Sequence, residues 1–179
     1  MIELIFKSIY FMVPAYFANM APVICRNIFP RLAFPLDFNK KISGKPILGK
    51  NKTFRGLIFG MIFAIVFAYI QFNLYKLDFF RDISVLDYNN WLLIGLLLGS
   101  GALFGDIVKS FIKRRLNIPS GDPWRGFDQL DFVFGAIIFV SFIKLLDLNL
   151  IFTAIIASLV LNVTLNAIST YLKIRTDKW

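Results

Sequence analysis

Long apolar runs, separated by short polar and charged stretches, dominate this sequence. Five runs, at residues 4–25, 57–75, 91–108, 132–146 and 148–172, are apolar enough to be considered membrane-spanning helices. A helix needs about 20 such residues to cross the ~30 Å hydrocarbon core of a bilayer. The fourth run is short and carries Lys144 near its end, where a long side chain can reach the interface. The pattern predicts an all-α, polytopic integral membrane protein with five transmembrane helices.

Composition favours one membrane domain over residues 1–179. Hydrophobic residues make up 58% of the chain and the mean hydropathy is +0.68, whereas soluble domains are roughly 45–50% apolar. Two sizeable polar loops, 26–56 and 109–131, interrupt the apolar runs. Glu3 precedes the first run and no small-residue cleavage site follows it, so we expect a retained helix rather than a signal peptide.

Positive charge is concentrated in three regions. Eight Lys and Arg residues lie in 26–55, five in 109–125 and three after residue 172. Cytoplasmic loops are enriched in these residues, and five crossings put all three regions on one side. The 76–90 loop, with Lys76 and Arg81 among three aspartates, lies on the other side. We expect a cell-membrane protein whose N-terminus is outside and whose C-terminus and active site are cytoplasmic.

The net charge of +9 does not require a nucleic-acid partner, because topology and anionic lipid headgroups account for it. We therefore expect the membrane, and no nucleic acid, as the partner of this charge. Cys25 is the single cysteine, which excludes a disulfide within the chain, and the sequence has no histidine. Acid–base chemistry by imidazole and zinc sites built on it are excluded.

Small and polar residues recur inside the apolar runs. Small residues four apart let membrane helices approach closely, so the glycines predict packing within the bundle or in a homodimer. Amides in apolar runs predict hydrogen bonds between helices, and prolines predict bends whose missing N–H groups are compensated nearby. The glycines are Gly56, Gly60, Gly95, Gly99, Gly101 and Gly105; the amides are Asn19, Gln71, Asn162 and Asn166; the prolines are Pro14 and Pro22.

The third run passes directly from apolar residues into dense charge. Asp106, Lys109, Ser110 and Lys113 are spaced to share one helix face. An ionisable residue beside an intramembrane run is a functional candidate. A simple interfacial pair between Asp106 and its neighbours is the alternative.

A second acidic group follows in the 109–131 loop. Asp128 and Asp131 are three apart and would share a face at the start of the fourth helix. Carboxylate oxygens suit Mg²⁺, which takes one or two protein carboxylates and leaves its other positions to water and phosphate. Together with Asp106 they predict a magnesium site at the cytoplasmic membrane surface, with helix capping as the alternative role of Asp128.

The first loop ends in a polar segment just before the second helix. Asn51, Lys52, Thr53 and Arg55 offer cations and neutral donors at a helix N-terminus, which favours phosphate contact. The segment 44–50 approaches a P-loop, but Asn51 stands where Ser or Thr should hold the metal and no strand precedes it. We reject that motif and keep the phosphate contact.

These three blocks, in this order, resemble the CTP-dependent phosphatidate cytidylyltransferase superfamily, and within it the archaeal CDP-archaeol synthases. Where other members have a His-Gly-Gly turn before the last aspartate, this chain reads Arg-Gly-Phe from Arg125. The resemblance implies transfer of the cytidylyl group from CTP to an isoprenoid ether lipid phosphate, unsaturated archaetidic acid, giving CDP-archaeol and pyrophosphate.

The resemblance also implies roles for individual residues. Asp106 and Asp131 would bind Mg²⁺, with Asp128 as a third ligand or as a residue that orients the others. Cations would hold the triphosphate or the lipid phosphate, and neutral groups would add hydrogen bonds. The cations are Lys52, Arg55, Lys109, Lys113 and Arg114, and the neutral groups are Asn51, Thr53 and Ser110.

Two other readings stay open. A CTP-dependent polyprenol kinase resembles the same superfamily but transfers the terminal phosphate to a lipid alcohol. A small transporter or non-enzymatic membrane subunit would use Asp106 as a coupling or pairing charge, although the repeats and broken helices typical of transporters are not evident. A CDP-alcohol phosphatidyltransferase is excluded, because its Asp-Gly-x-x-Ala-Arg pattern is missing from the sequence.

Overall fold

Helices account for nearly all of the regular structure. The structure is a computed structural model that describes residues 1–25, 28–124 and 126–171, with side chains to residue 164. The helices are α1 (Ile2–Ile24), α2 (Phe54–Leu74), α3 (Asp78–Asp82), α4 (Trp91–Arg115), α5 (Phe127–Val140) and α6 (Leu148–Tyr171). Short 3₁₀ turns cover Pro30–Leu32 and Tyr88–Asn90, and β1 (Lys41–Ile42) pairs antiparallel with β2 (Lys45–Pro46). The predicted all-helical class is confirmed, with this small hairpin as an addition.

Three helices are long and apolar enough to cross a membrane. They are Ile2–Ile24, Phe54–Leu74 and Tyr88–Arg115, whereas the described part of α6 counts among shorter apolar helices. The 14 residues of α5 extend about 21 Å at 1.5 Å per residue, less than the hydrocarbon thickness. Membrane-spanning helices are thus present, while the count of five and the orientation stay predictions.

The fourth predicted run, 132–146, does not match the helix that forms there. Helix α5 begins five residues earlier and ends at Val140. Beyond it, Lys144 Nζ donates to the carbonyl of Val85 at 2.7 Å, and the Asp147 carboxylate accepts from the Asn149 N–H at 2.7 Å. This aspartate caps α6, so the chain turns although its hydrophobic character continues.

Helix α1 contacts α2, α4, α5 and α6, and α2 compensates one of its two prolines. Pro14 has no N–H for the carbonyl of Tyr10, and Gln71 of α2 supplies the donor at 2.6 Å. Pro22 likewise has no N–H for the carbonyl of Ala18, four residues before it, and this oxygen faces Gly60 of α2. Compensation at Pro14 by a neighbouring helix agrees with the prediction.

The predicted interhelical amide bonds form at two of the four positions. Gln71 bonds to α1, and Asn162 Nδ2 lies 3.4 Å from the carbonyl of Gln129 on α5. Asn19 makes no side-chain hydrogen bond to the described part of the chain, and the side chain of Asn166 lies outside it.

Glycines bring α4 against its neighbours. A Cβ at Gly101 or Gly105 would overlap backbone of α5, and one at Gly95 or Gly99 would overlap α2. Helices that meet through glycine can approach until their backbones touch. Packing within the bundle, one of the two predicted uses of these glycines, is confirmed, and a homodimer stays a prediction.

The loop between α1 and α2 folds back onto the charged end of α4. Arg115 donates to the carbonyls of Ile42 and Pro46 at 2.9 and 2.5 Å, and Lys45 Nζ donates to the carbonyl of Arg115 at 3.3 Å. These bonds fix the β1–β2 hairpin to the C-terminus of α4, where a lysine complements the helix dipole.

Candidate active site

The last two turns of α4 carry charged residues on one face. The helix stays regular to Arg115, so Asp106, Lys109 and Lys113 follow one another at helical spacing. Ser110 Oγ donates to the carbonyl of Asp106 at 2.8 Å, which uses this hydroxyl within its own helix. The predicted shared face is therefore present.

The first turns of α5 bring two further carboxylates to this face. Lys109 Nζ lies 3.1 Å from Asp106 Oδ1, 3.0 Å from Asp128 Oδ1 and 2.8 Å from Asp131 Oδ2. One oxygen of each aspartate thus converges on a single ammonium nitrogen. We call Asp106, Asp128 and Asp131 the carboxylate cluster.

Two more lysines contact the cluster from its sides. Lys52, at the end of the first loop, places Nζ 2.5 Å from Asp106 Oδ2. Lys113 Nζ lies 3.1 Å from both oxygens of Asp128 and donates to the carbonyl of Asp122 at 2.6 Å. With Lys109, three ammonium groups offset three carboxylates, which allows so many charges to gather beside an apolar helix.

Asp128 does not cap α5, which begins after Gly126. Its Oδ2 instead accepts from the backbone N–H of Trp124 at 2.5 Å. With Lys113 on the other side, this bond ties the preceding loop to the cluster. The alternative of helix capping is therefore not what the geometry shows for this residue.

Asp131 is the least exposed carboxylate of the cluster, with a side chain 4% exposed. Lys109 Nζ, 2.8 Å from Oδ2, is the charged partner of Asp131, whereas Oδ1 has no hydrogen-bond partner among the described residues. A buried carboxylate without hydrogen-bond donors is costly unless a cation balances it. Asp131 therefore has coordination capacity left for a cation.

Mg²⁺ requires oxygen ligands at short distances that converge on one point. Within the described ranges, no three acidic, histidine or cysteine side chains form a ready metal-ligand group. The three oxygens stand about 3 Å from Lys109 Nζ, whereas Mg²⁺ binds oxygen at about 2.0–2.1 Å. Carboxylate oxygens are the type of ligand that Mg²⁺ prefers, and three of them point to one position. In this structure the ammonium group of Lys109 occupies that position.

The other residues predicted to contact phosphate have different surroundings. Thr53 Oγ1 accepts from the Gly56 N–H at 3.2 Å and caps α2, and Arg55 Nη1 lies 3.4 Å from the carbonyl of Ile28. Asn51 faces Gly121 in the next loop. Among the described residues of the first loop, only Lys52 contacts the carboxylate cluster.

A basic cleft of about 490 Å³ lies between the first loop and the segment 114–120 at the end of α4. Arg114 lines it, is 7% exposed and donates through Nη1 to the carbonyl of Ile118. Its buried Nε has no hydrogen-bond partner among the described residues. The polar residues that line the basic cleft are Asp37, Asn39, Lys41, Lys45, Lys50, Arg114, Asn117 and Ser120.

Sequence reasoning missed Asp37, which organises the first loop. Its carboxylate is 6% exposed and accepts three backbone N–H bonds, from Asn39, Leu48 and Gly49. Burial raises the pKa of Asp37, but these donors outweigh it and hold the pKa below its usual value. The Asp-x-Asn turn was the available signal, since aspartate commonly accepts from the N–H two residues on.

Comparison with known proteins gives one consistent result. A family model described as "CarS-like: CDP-archaeol synthase" matches residues 1–179. The CDP-archaeol synthase of Archaeoglobus fulgidus is 33% identical over 184 residues and covers 100% of both chains. That of Methanocaldococcus jannaschii is 34% identical over 184 residues, covering 99% of this chain and 98% of its own.

A solved structure has a similar fold. It is described as "Structural insight into an intramembrane enzyme for archaeal membrane lipids biosynthesis" and is 27% identical. The TM-score is 0.76, and the match covers 89% of this chain and 92% of that one.

Proposed function

The chain belongs to the CDP-archaeol synthase family and is a lipid cytidylyltransferase, and from this premise we propose the substrate and the roles of the residues. CTP donates its cytidylyl group to unsaturated archaetidic acid, 2,3-bis-O-geranylgeranylglycerol 1-phosphate. The products are CDP-archaeol and pyrophosphate. The reaction takes place on the cytoplasmic face of the cell membrane.

One observation carries this proposal: three carboxylates and three lysines converge where α4 leaves its apolar segment. Transfer at phosphorus depends on charge neutralisation and positioning more than on proton transfer. The lipid phosphate is already an anion and needs no base. A site made of carboxylates and ammonium groups, in a chain without histidine, suits that chemistry.

Asp106 and Asp131 would hold Mg²⁺, with Asp128 as a third ligand or as a residue that orients the others. Asp131 supports this assignment, because its Oδ1 is buried and has no hydrogen-bond partner among the described residues. When bound, Mg²⁺ would neutralise phosphate charge and stabilise pyrophosphate as a leaving group. Lys109 would then give up the centre of the cluster and turn its charge toward phosphate.

CTP would enter through the basic cleft. Lys41, Lys45 and Lys50 give the cleft positive charge, and the buried Arg114 Nε is a donor that still lacks a partner. Buried arginine donors bind phosphate oxygens well because they are fixed in direction. Lys50 lies two residues before Lys52, and Arg114 follows Lys113, so two segments of the chain supply residues both to the cleft and to the carboxylate cluster.

The chemical step forms one bond and breaks one. An oxygen of the lipid phosphate attacks the α-phosphorus of CTP, and the bond from that phosphorus to the bridging oxygen breaks. Pyrophosphate leaves with the bonding electrons. Lys52, Lys109 and Lys113 would hold the reacting phosphates in line and offset their charge.

The test is product analysis with purified, detergent-solubilised protein, radiolabelled CTP and Mg²⁺. Unsaturated archaetidic acid and an ester phosphatidic acid are compared as acceptors. We expect CDP-lipid and an equal amount of pyrophosphate with the ether lipid, and much less product with the ester. Equal rates with both lipids would contradict the ether specificity and leave the cytidylyl transfer intact.

A polyprenol alcohol serves as the third acceptor. Formation of lipid phosphate and CDP from it, without CDP-lipid from either phosphatidic acid, would replace the proposal with a kinase. The catalytic control is Asp106→Asn, and the matched control is Asp78→Asn, an exposed aspartate that pairs with Arg81 far along the chain from the cluster.

A further inference from the structure

The turn that precedes Lys52 is held by a carboxylate outside the cluster. Asp37 Oδ2 accepts from the N–H groups of Leu48 and Gly49 at 2.9 and 2.8 Å, and Oδ1 accepts from Asn39 at 3.0 Å. Side-chain carboxylates that accept several backbone N–H bonds replace the regular pairing that a loop lacks. Asp37 thus fixes the start of the segment that ends at Lys52.

The other end of this segment is fixed to the same short stretch. The N–H of Leu36 donates to the carbonyl of Lys52 at 2.8 Å, and Pro35 forms a bridge with Thr53. Between the two anchors, the N–H of Lys52 donates to the carbonyl of Gly49 at 3.2 Å. Gly49 has φ +95°, a left-handed conformation that glycine adopts without strain. Residues 49–52 therefore form a turn whose two ends are held by hydrogen bonds to Asp37 and Leu36.

This turn sets where Lys52 can reach. Its Nζ lies 2.5 Å from Asp106 Oδ2, across 54 residues of sequence. A lysine side chain has four rotatable bonds, so a firm backbone is what confines its ammonium group. Asp37 lines the basic cleft, but its carboxylate oxygens are taken by backbone N–H groups and it lies outside the carboxylate cluster. Its influence on the cluster therefore passes through this backbone.

We propose that Asp37 is a positioning residue for cytidylyl transfer, which acts by presenting Lys52 to Asp106 and to the CTP phosphates. This inference rests on the proposed function for its link to CTP. It assigns Asp37 no contact with the reacting atoms. Its effect passes through Lys52, so loss of Asp37 should matter only while Lys52 is present.

A double-mutant cycle tests that dependence. Asp37→Asn, Lys52→Met and the double variant are compared for kcat and KM. We expect Asp37→Asn to lower kcat/KM for CTP by about 10–100-fold, as for residues that orient a ligand group. The KM for the lipid phosphate should not change, and the double variant should be no worse than Lys52→Met. Asp37→Glu, which keeps both acceptor oxygens, should recover part of the loss and covers the case in which Asp37→Asn does not fold.

Amide hydrogen exchange over residues 48–52 gives a readout that does not need activity. Protection there should fall in Asp37→Asn and stay in Asp87→Asn, a matched control whose carboxylate accepts from the Asn89 N–H in another loop. The inference would be overturned if the double variant lost kcat/KM by the product of the two single losses. Unchanged hydrogen-exchange protection at residues 48–52 in Asp37→Asn would also overturn it. If the wild-type protein shows no cytidylyl transfer while Asp37→Asn still lowers protection at residues 48–52, the proposed substrate is wrong. The role of Asp37 in holding the turn would then stand.

Discussion

Gly105 lies against the backbone carbonyl of Asp131, so the backbones of α4 and α5 are in contact one residue before Asp106. A side chain at position 105 would overlap that carbonyl oxygen. The contact brings the two carboxylates from different helices to one lysine. Helix packing and assembly of the candidate active site are therefore the same event.

Gly105→Ala should separate α4 from α5. Overpacking of a tight contact costs about 1–3 kcal/mol, and here it would also move Asp131 away from Lys109. We expect a lower melting temperature and a larger loss of cytidylyl transfer than the stability change explains. Ser100→Ala, on the same helix, is the control, and equal behaviour of the two variants would contradict the prediction.

Asp106→Asn and Asp131→Asn should each reduce CDP-lipid formation by at least about a hundredfold, the size seen when one electrostatic partner of a developing charge is removed. Asparagine keeps the shape and removes the charge. Activity is measured over a range of Mg²⁺ concentrations, with melting temperature to show folding. Substantial activity in either variant would remove that residue from the proposed metal site.

Lys109→Met should destabilise the protein most when Mg²⁺ is absent. The change leaves three converging carboxylates without their central cation, and breaking a buried ion pair costs about 3–5 kcal/mol. We expect Mg²⁺ to raise the melting temperature of this variant more than that of the wild type. The measurement is thermal unfolding with Mg²⁺ and with EDTA, and an equal response in both proteins would argue against a metal in the cluster.

Asp37 should make the first loop sensitive to acid. Its pKa is held below the usual value by three backbone N–H groups, so the folded chain binds this proton less readily than the unfolded chain. The resulting stability is complete above the unfolded pKa of about 3.9 and is lost as the pH falls through the lower, folded value. The difference in unfolding free energy between wild type and Asp37→Asn should be constant near neutral pH and shrink below about pH 4.

The predicted orientation can be read from labelling of single cysteines. In a Cys25→Ser background, Lys50→Cys and Lys76→Cys place exposed thiols in the first loop and in the 76–90 loop. A membrane-impermeant maleimide should label position 76 in intact cells and position 50 only after permeabilisation. The reverse pattern would invert the topology that the charge distribution predicts.

Residues close in sequence on a helix were predictable. The spacing of Asp106, Lys109 and Lys113 places them on one face of any α-helix, and the same holds for Asp128 and Asp131. The glycines indicated close packing because small residues four apart leave room for another backbone. These local rules predict the face of α4 that carries Asp106 and the face of α5 that carries Asp128 and Asp131. The packing of α4 against α5 completes the carboxylate cluster.

Contacts set by loop paths were not predictable in this way. The pair of Lys52 and Asp106 depends on a turn held by Asp37, and neither hydrophobic period nor helix spacing encodes that turn. The end of α5 differs from the end of the predicted run for a related reason. The apolar run continues past Val140, whereas the hydrogen bonds of Asp147 fix the start of the next helix. A hydropathy pattern reports burial and says little about such local hydrogen bonds.

The central position of Lys109 has a consequence for the enzyme at rest. Because the chain carries its own cation among the three aspartates, departure of metal and pyrophosphate would not leave bare negative charge beside the bilayer. At the end of each catalytic cycle, Lys109 would return to its position among the three aspartates. Under the proposed magnesium binding, the metal-free protein would thus keep its three aspartates neutralised and its fold intact.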